Sequence, residues 1–110
     1  MQTGAVLAWT GDLDAGAAGR LAEALGDLRR SGLHHVIVDL AGVPFVGSAG
    51  FGTLVAESGA FREAGGDLWL CGFRPEVRGV ADLLGLPRVT RVHQDVEEAR
   101  AALRAATMTR

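Results

Sequence analysis

Short apolar runs alternate with amphipathic stretches from one end of the chain to the other, and this alternation restricts the fold more than any other feature. "AVLAW" (5–9), "HVIVDL" (35–40), "DLWLCGF" (67–73) and "RVTRVH" (88–93) read as strands. The middle two are almost continuously apolar, as expected of strands covered on both faces. Four helical patterns lie between and after them. The first places Ala17, Leu21, Leu25 and Leu28 on one face, and the second Phe51, Leu54, Val55 and Phe61, stopping at "GG" (65–66). The third opens near Pro75 and is expected to bury Val77, Val80, Ala81 and Leu84. The fourth follows Asp95, which with Glu98 makes an Asp-x-x-Glu capping pattern, and shows Val96, Ala99, Leu103 and Ala106. Strand–helix alternation of this kind predicts an α/β domain with a largely parallel or mixed sheet.

Parallel sheets concentrate function in the loops that leave the carboxyl ends of their strands. Here those loops begin near "GDLD" (11–14), "AGVPFVGSAG" (41–50), "GFRPE" (72–76) and "HQD" (93–95). A chain of 110 residues is read as a single domain, 1–110, large enough for its own core. No apolar run approaches the ~20 residues needed to cross a bilayer. The opening "MQTGAVLAWTGDLD" shows neither a basic region nor a cleavage pattern, so a cytoplasmic chain is expected. Its single cysteine, Cys71, sits in an apolar run and reads as a buried, reduced thiol.

Several chemistries are excluded by residue type. All eleven basic residues are arginine, so a Schiff-base lysine or a Walker-type phosphate loop is ruled out. With a net charge of −2 and scattered arginines there is no basic stripe for nucleic acid. His34 and His35 are adjacent and project to opposite sides of the chain, while His93 stands apart, so no metal site is expected. "VGSAG" fails the spacing of a Gly-x-Ser-x-Gly nucleophile elbow, with Asp82 and His93 only nominal partners for Ser48. "GSAGFG" is likewise in the wrong order for a dinucleotide fingerprint. Neither an enzyme nor a cofactor is expected.

The stretch "FVGSAGFGTLV" remains to be explained. Ser48 is placed as the N-cap of the second helix, where its hydroxyl can accept a bond from a first-turn N–H. Gly50 and Gly52 leave that turn bare, so another molecule could approach closely. The spacing of Phe51 to Leu54 and Val55 reads as core, with a contact role as the alternative. A phosphate at this point would meet free N–H groups and the positive end of the helix dipole.

"VIVDLAGVPFVGSAGFGTLV" resembles the signature of STAS domains of the anti-sigma factor antagonist type: strand, Asp-Leu, short loop, then Asp-Ser-Ser/Thr/Ala-Gly-Leu-Gly and an apolar helix. "WTGDLD" is similar to the family's early strand end, and "GFRPEVRGVADLLGLPRVTRVHQDVEEA" to its C-terminal half, so the resemblance spans nearly the whole chain. It implies a four- to five-stranded mixed, mostly parallel sheet with four helices. It also implies a binding module whose partner is an anti-sigma factor, usually a protein serine kinase that phosphorylates a loop hydroxyl. Contact residues carried over are Asp12, Asp14, Gly47, Ser48, Ala49, Gly50 and Phe51.

Two departures stand out. The family's phosphorylated hydroxyl falls on Ala49, and its preceding aspartate on Gly47, so the usual switch is expected to be missing. Ser48 lies about 100° away around the helix, given roughly 3.6 residues per turn, and is a weaker substitute. The family's additional edge strand has only residues 1–4 in which to form. An exposed edge there is a place for a homodimer to pair. The competing reading is a sensing module that binds a nucleotide or small anion at the helix start near Ser48.

Overall fold

A computed structural model describes residues 4–108. The elements follow in the order β1 (Ala5–Thr10), α1 (Ala15–Arg30), β2 (His35–Gly42), α2 (Ser48–Glu63) and β3 (Asp67–Cys71). Then come α3 (Pro75–Leu83), α4 (Leu86–Val89), β4 (Arg91–His93) and α5 (Val96–Met108). The four described strands pair in sequence order, every pair parallel. The α/β class therefore holds, with an all-parallel sheet rather than a mixed one among the described residues. The expected extra edge strand falls on residues 1–3, outside the described residues, and on Gly4, which precedes β1.

Alternation along β2 divides the core. Val36, Val38 and Leu40 share one face with Leu68 and Leu70 of β3, and there they meet α1, α2, α3 and α4. Ile37, Trp69 and Cys71 face the other way and are covered by Ala99 and Leu103 of α5. Every residue of β3 is buried, which is why its sequence lacks a polar alternation. On the thicker side Phe61 and Leu54 are fully enclosed. Burial of one such side chain contributes about 1.5–3 kcal/mol.

Local chemistry terminates α2 as the "GG" pair predicts. Gly65 takes φ +96°, its N–H donates to Arg62 O (3.0 Å), and the Gly66 N–H donates to Phe61 O (2.9 Å). These are the two bonds of a Schellman closure. At the start of α5 the Glu98 N–H donates to Asp95 Oδ1 (2.8 Å), and the Glu98 carboxylate reaches back to the Gln94 N–H. That completes the capping pattern, displaced by one residue on its return bond.

Four expectations need correction. The strand expected over 88–93 is only Arg91–His93, because Gly85 at φ +75° and Pro87 turn residues 86–89 into a helical turn. The described chain therefore has five helices, not four. In α3 only Val77 and Ala81 are buried, whereas Val80 and Leu84 are 46% and 62% exposed. A short helix on the rim of the sheet packs by a single i, i+4 ridge, and Val80 is rotated off it. In α2, Val55 is exposed and Ser58 takes a buried place in its stead.

Candidate functional site

The loop after β1 and the loop after β2 are stitched together by backbone. The Leu13 N–H donates to Phe45 O (2.8 Å), the Gly47 N–H donates to Leu13 O (3.1 Å), and Leu13 pairs in parallel with Val46. Leu13 is completely buried, so the apolar residue of "GDLD" anchors this joint while its flanking aspartates stay outside. Neither loop shows this from its own sequence. A lone leucine between two aspartates was the available signal.

The joint resets the start of α2. Gly47, in an extended conformation (φ −83°, ψ 176°), is the N-cap, and no side chain caps the first turn. Ser48 is thus the first helical residue and its hydroxyl does not cap, contrary to expectation. The physical reason is the Gly47 N–H bond to Leu13 O, which holds residue 47 outside the helix and starts the turn at 48. Capping belongs instead to Asp14, whose Oδ1 accepts from the Ala17 N–H (2.9 Å) at the start of α1.

Burial separates the expected contact residues. Asp12, Asp14, Ser48 and Ala49 are exposed and Gly47 is half-buried. Gly50 and Phe51 lie inside. A Cβ on Gly50 would stand 2.8 Å from Leu13 O and 2.8 Å from Val46 Cγ1. Gly50 is therefore bare so that α2 can close on the joint. Gly52, by contrast, has nothing within 4 Å of its Cβ position and is open to solvent. Phe51 is core, at 6% exposure.

Helix α3 adds to the surface formed by the loop after β2. Phe45 is 53% exposed and, with Pro44, Val77 and Val80, lines a groove of about 170 Å³. Glu76 also lines it. The apolar pair "PF" within a loop was the signal for this groove.

The remaining candidates are engaged elsewhere. Asp82 pairs with Arg78 (2.9 Å) on α3, so the nominal Ser48–Asp82–His93 set is not assembled. His34 Nδ1 bonds with Ala64 O (3.2 Å). His93 does not stand apart in space, since it stacks on Trp69 at 5.8 Å, while His35 accepts from Trp69 Nε1 (3.2 Å). Burial lowers the pKa of His35, opposed by nearby Asp67 and assisted by His34 and Arg91. Among the described residues no group of three or more His, Cys, Asp or Glu side chains could hold a metal ion. Burial, then the charges of Asp39 and Asp95, pushes the Cys71 thiol up to about 12. Such a thiol is inert in the folded chain.

Residues 2–99 match the STAS domain family. The chain belongs to the STAS domain family. An anti-sigma-B factor antagonist of Staphylococcus epidermidis is 30% identical over 87 residues, covering 79% of this chain and 81% of the relative. An anti-sigma factor antagonist from Mycobacterium paratuberculosis superposes with a TM-score of 0.81 at 25% identity, over 90% of this chain and 84% of that one. A sulfate transporter family protein from Wolinella succinogenes superposes as well, with a TM-score of 0.82 at 21% identity, over 96% and 88% of the two chains. The last likeness shows the fold alone. The STAS scaffold thus serves both regulators and transporter-family proteins, while the sequence likeness of this chain lies on the antagonist side. No described helix is long and apolar enough to cross a membrane.

Proposed function

We propose that this STAS domain is an anti-sigma factor antagonist-like binding module that holds an anti-sigma factor of the serine kinase type. It would regulate sigma-factor-dependent transcription from the cytoplasm without catalysing a reaction. The observation that supports this reading is the Leu13–Val46 joint, which merges two loops into one surface bearing Asp12, Gly47, Ser48 and Ala49. Gly50 and Phe51 support that surface from beneath. The test is capture of the full chain by anti-sigma kinases from the same genome, compared with Ala49→Glu. Ala49 is exposed on the first turn of α2, so the new carboxylate keeps or raises stability by about 0.3–1 kcal/mol through the helix dipole. Partner affinity should nonetheless fall at least about tenfold, the size of effect seen when an interface contact matters. Unchanged affinity would remove this turn from the contact surface.

Regulation is proposed not to use the family's loop phosphorylation, since the hydroxyl position is Ala49. Incubation with the partner kinase and ATP should leave the intact mass of the protein unchanged. Phosphate on Ser48 would overturn that. An anion sensor at the same helix start is the competing reading. The uncapped first turn favours it, but Asp12 and Asp14 on the adjoining loop work against an anion there. A saturable thermal shift with GTP, ATP or small anions, lost in Ala49→Glu, would select it.

A further inference from the structure

At the opposite end of the parallel sheet, where β3 and β4 begin, three guanidinium groups line one cavity of about 520 Å³. They come from the last turn of α2 (Arg62), from α4 (Arg88) and from the first residue of β4 (Arg91). Asp67, 6% exposed at the start of β3, organises two of them. Its Oδ2 accepts from Arg91 Nε (2.6 Å), and its Oδ1 accepts from the Leu68 N–H (2.9 Å) and from Arg62 Nη1 (3.4 Å). Arg62 Nη2 also donates to Val89 O (3.0 Å), and the Arg91 guanidinium lies over the Trp69 ring at 4.6 Å. Arg88 has no ion pair among the described residues.

The charge balance of the cavity is the informative quantity. Three arginines against one carboxylate leave a local charge of +2, within a chain whose net charge is −2. A guanidinium carries five N–H donors in a rigid fork. Among the described residues, hydrogen bonds engage one of these donors in Arg91, two in Arg62 and none in Arg88. Holding two of the three forks in advance lowers the ordering cost of binding. If the cluster served only to tie β3 to β4, Asp67 with Arg91 would suffice, and Arg88 would add repulsion with no return. The volume lies in the range of small-molecule sites, larger than a bare oxyanion needs, and Pro87 and Val89 supply an apolar wall.

We propose that this cavity binds a small molecule carrying a doubly charged phosphate group, with the phosphate received by Arg88 and Arg91. This site is independent of the loop surface and of the partner assigned to it. The experiment titrates the full chain with inorganic phosphate and with pyrophosphate at low salt, following backbone amide NMR signals, with chloride at matched ionic strength as the control. Saturable shifts are expected at Arg88, Thr90 and Arg91, stronger for pyrophosphate. Arg88→Gln should weaken them about tenfold, the loss of one charge-assisted contact. Arg88 is exposed and has no ion pair among the described residues, so this variant should keep the wild-type melting temperature. Absence of saturation, equal shifts with chloride, or shifts centred on Ser48–Gly50 would each overturn the proposal.

Discussion

Gly50→Val should destabilise the domain by about 3 kcal/mol or more, at the upper end of what overpacking a core produces. The Cβ position is 2.8 Å from Leu13 O, 2.8 Å from Val46 Cγ1 and 3.0 Å from Leu13 Cγ. None of these can yield cheaply, because Leu13 O already accepts from the Gly47 N–H and both side chains are buried in the core. Relief requires α2 to back away from the joint, which opens the contact between the two loops. Gly52→Ala is the control on the same helical turn. It meets nothing within 4 Å and should gain about 1 kcal/mol from helix propensity alone. Urea unfolding of the two variants beside the wild type reads both signs. A Gly50→Val midpoint equal to the wild type would show that the joint is not packed as described. Because the variant damages the fold, it says nothing about ligands, and Ala49→Glu is the proper probe of the surface.

Gly66→Ala is expected to be more damaging still. A Cβ at residue 66 would lie 1.6 Å from His34 O, an overlap that only movement of the backbone can remove. His34 O accepts from the Asp67 N–H (3.0 Å), the bond that sets β3 beside β2. Displacing it disturbs both the sheet register and the carboxylate that holds Arg62 and Arg91. A loss of roughly 4–5 kcal/mol or more follows, enough to unfold a domain at the low end of the usual stability range of about 5–15 kcal/mol. Gly65→Asn, one residue away, is the comparison. Residue 65 needs only a positive φ, which asparagine tolerates, so its cost should be about 1 kcal/mol. Circular dichroism melts distinguish the pair. A Gly66→Ala melt within a few degrees of wild type would refute the close approach.

The two glycine pairs show what was legible and what was not. "GG" at 65–66 was readable as a helix stop, since a Schellman closure is made by neighbours in sequence. That Gly66 also presses on His34 was not, because the two residues come from different strands' flanks. "GFG" at 50–52 looked like one bare, partner-facing turn. The structure divides it, with Gly50 closed against Leu13 and Gly52 open. Likewise Asp12 and Asp14 read as equivalent in "GDLD", yet Asp14 is committed to capping α1.

Hydropathy periodicity and helix-end chemistry, both local, determined the α/β class, the strands β2 and β3, and the helices α1 and α2. Each depends on residues within about one or two turns of one another, so it is written in consecutive positions. Contacts between distant segments decided the rest. The bond from Gly47 to Leu13 moved the helix cap off Ser48, and the rim position of α3 left Val80 and Leu84 outside. The meeting of residues 62, 67, 88 and 91 built the arginine cavity. Long-range packing and hydrogen bonding set these features, and they exist only once the chain has closed on itself.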